Sequence, residues 1–174
     1  MKNQVLSLIL TIVTLCGLFG CTKQKKFDLI EFCERYNASF SENQISETDF
    51  LIKSVDEHKE NSYFLTTQEQ KLILLTATAD KDGTIIGICL TATRENNEFS
   101  ENYFKELFDF YVKAVSIITL TNFDTAFANV IECGIILDNI KFEDYNFKTE
   151  LDNFEYGIFA NSDIISMYCE KKSK

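Results

Sequence analysis

Proline and tryptophan are absent from this chain of 174 residues, and histidine occurs once. A proline-rich spacer is therefore excluded, and so is a metal site built from several histidines. The six glycines are scattered, so the chain has no glycine-rich loop that could cradle a phosphate. Sugar-binding clefts usually stack their ligand on aromatic rings, and the absence of tryptophan makes such a cleft a poor prediction here.

Basic residues are also scarce relative to acidic ones. The chain has 17 Lys and Arg against 27 Asp and Glu, which gives a formal net charge of −10. Nucleic-acid binding depends on neutralising phosphates, so we exclude nucleic acid as a partner. A basic protein face, a polyamine or a divalent ion would suit this charge. The alternative is that the charge only keeps the protein soluble.

The six cysteines contain no Cys-x-x-Cys pair, which excludes zinc ribbons and thioredoxin-like redox motifs. Cys16 and Cys21 lie in the N-terminal segment considered next. The remaining four stand among apolar residues, which favours burial. In an oxidising compartment one or two disulfides can form among them, and the alternative is four buried free thiols. These four are Cys33, Cys89, Cys133 and Cys169.

The N-terminal segment combines a positive start with a short apolar core. Lys2 precedes a run of apolar and small residues at 5–20, and the segment ends in Leu-Phe-Gly-Cys at 18–21. The run is shorter than the roughly 20 apolar residues of a membrane-spanning helix, and it has the length of a signal-peptide core. The segment resembles the lipobox signal of bacterial lipoproteins. The resemblance implies cleavage before Cys21 and attachment of fatty acyl chains to its thiol and new amine.

The same resemblance divides the chain into a signal peptide (1–20), a lipidated cysteine with a short tether (21–26) and a single domain (27–174). It implies a protein held by lipid on the extracytoplasmic face of a bacterial membrane, at the cell surface or the periplasmic side. Lys2 is the only charged residue of the signal, so cleavage leaves a net charge of −11. Thr22 to Lys26 span at most about 17 Å, which predicts that any partner lies in, on or near the membrane.

The strand pattern is clearest at residues 72–79 and 84–93, two β-rich runs joined by Asp80-Lys81-Asp82-Gly83. Asp-Gly is a strong tight-turn signal, so we predict a hairpin rather than the start of a calcium loop. Consecutive apolar residues within both runs predict central strands covered on both faces. Further strands are predicted at 50–57, 62–67, 147–151, 156–160 and 164–169, with the start of another at 135–137 and a charged turn at 57–61. Gly157 predicts a strand irregularity.

Three helices are predicted: residues 27–38, a long helix after the cap Ser100, and a shorter helix between the cap Asn122 and the stop Gly134. On the long helix, Phe104, Phe108 and Tyr111 belong to an apolar face that predicts core, and the alternative is an exposed partner-binding face. On the shorter helix, one apolar side is predicted from Phe123, Phe127, Val130 and Ile131.

Strands grouped before and after grouped helices predict an α+β fold. We expect a mainly antiparallel sheet of about five to seven strands, covered by the long helix and one or two shorter helices.

No set of residues carries an obvious catalytic, cofactor or metal site. His58 stands in a charged turn, where a solvated side chain is a better prediction than a general base beside Asp56. Acidic residues cluster at 95–101 and 143–155, and a solvated acidic face is a better prediction for them than the paired carboxylates of a hydrolase.

The sequence therefore predicts a non-enzymatic, lipid-anchored domain that binds another macromolecule near the membrane, with a basic protein as the sharpest version. Two alternatives stay open. One is a small-molecule or ion-binding module, and the other is a hydrolase that uses carboxylates alone.

Overall fold

The computed structural model describes residues 26–38, 44–46, 49–55, 58–94, 100–135 and 144–172. These residues form three helices, which are α1 (Leu29–Ala38), α2 (Glu101–Thr119) and α3 (Phe123–Glu132). They also form seven strands: β1 (Leu51–Val55), β2 (His58–Thr66), β3 (Leu72–Ala79), β4 (Ile85–Thr93), β5 (Tyr145–Leu151), β6 (Phe154–Ala160) and β7 (Ile164–Lys171).

All seven strands belong to one antiparallel sheet with the order β1-β2-β3-β4-β7-β6-β5. Two runs of hairpins, β1 to β4 and β5 to β7, meet where β4 pairs with β7. Helices α2 and α3 lie between these runs in the sequence. The predicted α+β fold, with an antiparallel sheet covered by one long and two shorter helices, is confirmed.

The β3–β4 hairpin has the predicted turn. Asp80 Oδ1 accepts hydrogen bonds from the backbone N–H groups of Asp82 and Thr84, both at 2.9 Å. Gly83 has a φ of +76°, a conformation that glycine adopts without steric cost. The acidic side chain at the start of this segment therefore stabilises the turn itself.

One face of the sheet, here termed the inner face, carries the helices. Tyr111 of α2 reaches this face, and its hydroxyl donates a hydrogen bond of 2.8 Å to the backbone oxygen of Tyr168 on β7. The inward-pointing residues of β3 and β4 alternate along each strand and join the side chains of α2 in one hydrophobic core. Its fully buried members include Ile73, Leu75, Leu90, Leu107 and Tyr111.

The outer face of the sheet differs from the prediction. Leu74, Thr76 and Thr78 are only partly buried, and within the described part of the chain no helix packs against them. Their cross-strand neighbours supply the partial cover. The prediction that β3 and β4 are central is confirmed, and the prediction that both faces are covered is wrong.

Helix α2 has the predicted cap and the predicted buried face. Ser100 Oγ accepts a hydrogen bond from the backbone N–H of Tyr103 at 3.1 Å. Phe108 and Tyr111 are buried and Phe104 is partly buried, so the core interpretation of this face is confirmed and the exposed alternative is wrong.

A lysine lies inside the contact between α1 and α2. Lys113 is only 3% exposed, and its Nζ lies 5.0 Å from the centre of the Tyr36 ring. Burial lowers the pKa of Lys113 to about 7. This buried amine was not anticipated from the sequence, in which Lys113 interrupts an apolar run at 110–115.

The predicted turn at 57–61 is too long, because β2 already begins at His58, which pairs with Val55. Strand pairing of the charged residues 58–60 with β1 and β3 overrides their turn-like composition. Apart from Ile135, the strand predicted at 135–137 lies outside the described residues. The signal peptide and residues 21–25 of the tether also lie outside them.

Candidate interaction surface

Three large apolar side chains of α3 face away from the core. Phe123 and Phe127 are each 42% exposed, and Ile131 is 36% exposed. They are spaced four residues apart and therefore lie along one side of the helix. Leu120, just before α3, is 65% exposed. We term these four residues the α3 stripe.

The predicted apolar side of α3 is divided in the structure: Phe123, Phe127 and Ile131 are exposed, and of the four residues only Val130 is buried. Ala126 and Val130 face the core and are fully buried. The ring of Phe127 makes an edge contact with Phe108 of α2, at a centroid distance of 5.8 Å. The small side chains of Ala126 and Val130 let α3 pack closely on α2, and the larger side chains of the α3 stripe remain outside.

Leu120 combines backbone strain with exposure. Its φ of 58° and ψ of 34° lie in the left-handed region, which glycine normally occupies at a helix end. A leucine here costs about 1 kcal/mol relative to glycine, and its side chain, which is 65% exposed, returns little burial energy in the isolated domain. A strained, exposed apolar residue points to a contact outside the chain.

The charged residues within 120–132 are all acidic. Asp124 and Glu132 are exposed and follow Phe123 and Ile131 directly on the helix. The sequence contains no Lys or Arg at residues 114–140. The surface is therefore apolar along its centre and negative along one side.

The outer face of the sheet carries a second, more polar surface. A row of directly opposite residues runs from the exposed ring of Phe64 on β2, across β3, β4 and β7, to the exposed ring of Phe159 on β6. Between them Thr91 and Ser166 share a hydrogen bond of 2.8 Å. Because these hydroxyls already satisfy each other, they offer less to a ligand than the exposed rings do.

A hydrogen-bonded group next to this row involves a tyrosine on β7. The hydroxyl of Tyr168 donates a hydrogen bond of 2.9 Å to Glu155 Oε1, and Lys148 Nζ lies 3.4 Å from Oε2. The hydrogen bond from Tyr168, helped by Lys148, lowers the pKa of Glu155. Burial, together with Glu155, raises the pKa of Tyr168 to about 12.

Gly157 on β6 makes room for the Tyr168 ring. A Cβ atom at Gly157 would overlap the Cε1 and Cζ atoms of that ring. The strand irregularity predicted at Gly157 is wrong, because the pairing of Lys148, Gly157 and Tyr168 runs through this position without a shift in register. The glycine is needed for side-chain space rather than for an unusual backbone.

Among the described residues, the carboxyl groups with shifted pKa values do not lie together as a catalytic pair. Burial raises the pKa of Asp109, which lies on α2 and hence on the inner side of the sheet. Glu155 lies on the outer face, so the sheet separates these two carboxyl groups. Within the described residues no group of three or more His, Cys, Asp or Glu side chains could hold a metal ion. Residues 95–99 and 136–143 and the side chain of His58 lie outside the description.

A groove of about 420 Å³ lies between α1 and residues 44–46. Asn37 lines it, and its side-chain amide donates to the backbone oxygen of Ile45 at 2.6 Å and accepts from the backbone N–H at 2.8 Å. The amide is therefore engaged in holding residue 45 against α1. This use of its polar groups makes the groove a weaker candidate site than the α3 stripe.

The four cysteines of the domain are free thiols in the structure. Cys33, Cys133 and Cys169 are buried, and Cys89 is partly buried. Burial raises the pKa of Cys133 to about 11 and also raises those of Cys89 and Cys169. A disulfide among these four cysteines stays a prediction.

We expect the native protein to resist alkylation by iodoacetamide near neutral pH, because the thiolate is the reactive form and these thiols are buried. In urea without reductant, all four cysteines should be alkylated. Mass spectrometry of protein taken directly from the producing cells measures the extent of alkylation in the native state and in urea. A pair that reacts only after reduction would show a disulfide and contradict the free-thiol interpretation.

Within the described residues, no single helix is long and apolar enough to cross a membrane; α2 and α3 pass that test only as a pair, bent by 105° at their junction. Comparisons of the chain with protein-family models, with curated proteins and with solved structures found no match.

Proposed function

We propose that this protein is a non-enzymatic, lipid-anchored binding domain outside the cytosol, and that a protein partner docks on the α3 stripe. The exposed aromatic and aliphatic side chains of α3 carry the proposal. Exposed apolar side chains that lie together on one element mark interaction sites more often than single ones do. The anchor at Cys21 rests on the resemblance of residues 1–21 to lipoprotein signals.

Charge favours a partner that is both apolar and basic. Asp124 and Glu132 would face the rim of any partner seated on the stripe, and the whole chain carries a net charge of −10. A second copy of this chain would bring the same acidic residues together, which like-charge repulsion disfavours. Anionic lipid is disfavoured for the same reason. A basic segment with apolar side chains complements both parts of the surface.

The test begins with crosslinking in intact membranes that contain the native protein, followed by identification and purification of the captured partner. We expect Phe123→Ser combined with Ile131→Ser to weaken its binding at least about tenfold, because truncating central apolar contacts typically costs more than 1 kcal/mol. Asp124→Lys should weaken binding as well. Isothermal titration calorimetry measures each dissociation constant.

The matched control is Phe64→Ser combined with Leu72→Ser. These two apolar side chains lie on the outer face of the sheet and are 52% and 57% exposed. This control should bind like the unaltered protein. Equal binding by the stripe variant, or a concentration-dependent dimer that the stripe variant abolishes, would contradict the proposal. A native N-terminus that retains Met1 and carries no acyl mass would contradict the anchoring.

A further inference from the structure

The point at which the tether joins the domain is defined by contacts at one end of the sheet. The backbone oxygen of Phe27 accepts a hydrogen bond of 2.8 Å from the N–H of Ile85, the first residue of β4. The side chain of Lys26 lies beside Gly83 in the β3–β4 turn. The chain therefore enters the domain at the β3–β4 turn, and we term this the anchor end.

The C-terminus of α2 lies at the same end. Its N-terminus is fixed at the opposite end, where Ser100 bonds to Glu69 and Glu106 accepts from the backbone N–H of Gln68 in the β2–β3 turn. Helix α2 has 19 residues and β3 has 8, so both are about 27 to 28 Å long. A helix of this length that starts at the β2–β3 turn and packs along β4 reaches the other end of the sheet, which places Leu120 toward the anchor end.

The α3 stripe consequently starts at the anchor end. Phe123 follows Leu120 by three residues, and Phe123 and Ile131 are about 12 Å apart along the helix. Thr22 to Lys26 span at most about 17 Å when fully extended. With acyl chains on Cys21, the stripe lies within reach of the membrane surface.

From this geometry we propose that the partner is an integral membrane protein, and that the α3 stripe binds a basic, apolar segment of it next to the bilayer. This inference rests on the proposed function and adds where and on what kind of protein docking takes place. The lipid surface itself is the competing occupant. The acidic residues Asp124 and Glu132, with no Lys or Arg at 114–140, favour a basic protein segment over anionic headgroups.

The first test measures how close each end of the domain lies to lipid. Full-length protein purified from producing membranes is placed in vesicles of zwitterionic lipid and labelled with a fluorophore at Lys81→Cys, Ala128→Cys or Gln68→Cys. All three positions are exposed, and they lie in the β3–β4 turn, on α3 and in the β2–β3 turn. The buried native thiols should remain unlabelled near neutral pH.

A quencher attached to lipid headgroups should quench the labels at residues 81 and 128 at least about threefold more than the matched label at 68, because quenching requires contact and the domain is about 27 Å long between its two ends. A quencher within the acyl chains should leave the label at 128 unchanged. Stronger quenching at residue 68 would overturn the orientation. Acyl-chain quenching at residue 128 would assign the stripe to lipid and overturn the choice of partner.

The second test places a photo-crosslinking amino acid at Ala128 in living cells, with the same amino acid at Gln68 as the matched control. We expect crosslinks from residue 128 alone, to an integral membrane protein, and their yield should fall at least about tenfold in Cys21→Ser because tethering raises the effective concentration. A crosslink to a soluble protein would overturn only this inference. No crosslink from residue 128, or no acyl mass on Cys21, would instead contradict the proposed function.

Discussion

Replacing Gly157 with alanine should lower the free energy of unfolding by about 2 kcal/mol, because an added methyl group there overpacks a filled site and displaces a hydrogen-bonded ring. The new Cβ would overlap the Tyr168 ring, whose hydroxyl donates to Glu155. The ring can move only by leaving that carboxylate. Urea unfolding followed by circular dichroism measures the loss.

The control for this prediction is the same change made in a Tyr168→Ala background. With the ring gone, alanine at 157 should cost nothing and can gain about 0.5 kcal/mol, because alanine loses less backbone entropy than glycine on folding. The double-mutant cycle isolates the overlap from the other effects of each change. Equal costs in both backgrounds would show that the Tyr168 ring is not the reason for the glycine.

Replacing Lys113 with methionine should raise the free energy of unfolding by about 2 kcal/mol at about pH 6, since an apolar side chain replaces a charge in a buried site. Burial lowers the pKa of Lys113 from 10.5 to about 7. Between these values the unfolded chain binds the proton and the folded protein does not, so this group makes stability rise with pH. The gain in the free energy of unfolding from methionine is therefore largest below pH 7 and shrinks as the pH increases.

Urea unfolding at about pH 6 and about pH 9 checks this prediction. At each pH, the free energy of unfolding of Lys113→Met is compared with that of the unaltered protein. Buried thiols such as Cys133, whose pKa is raised, destabilise both proteins in alkali and cancel in that difference. Lys105→Met, at an exposed position on the same helix, is the control and should change little at either pH. A gain that is the same at both values would refute the assignment to the Lys113 charge.

Local chemistry made parts of the fold predictable. The Asp80–Gly83 turn and the Ser100 cap each depend on side chains acting within a few residues of their own backbone. Such signals need no knowledge of the rest of the chain, so they could be identified from the sequence.

The orientation of α3 could not be predicted in the same way. Helical spacing placed Phe123, Phe127 and Ile131 together on one side, and this grouping is correct. Which side turns inward depends on the fit of Ala126 and Val130 against other elements, and these are distant in sequence. The space at Gly157 similarly depends on Tyr168 of the neighbouring strand. No signal near either position in the chain reveals these long-range fits.

The strand order has a consequence for the timing of folding. The last strand of the chain, β7, sits between β4 and β6 and joins the two runs of hairpins. Residues as far apart as Gly87 and Glu170 must pair before the sheet is continuous. Contacts of such high sequence separation form slowly. The polypeptide therefore has to be synthesised through β7 before it can close its core, a delay that is compatible with the proposed export before folding.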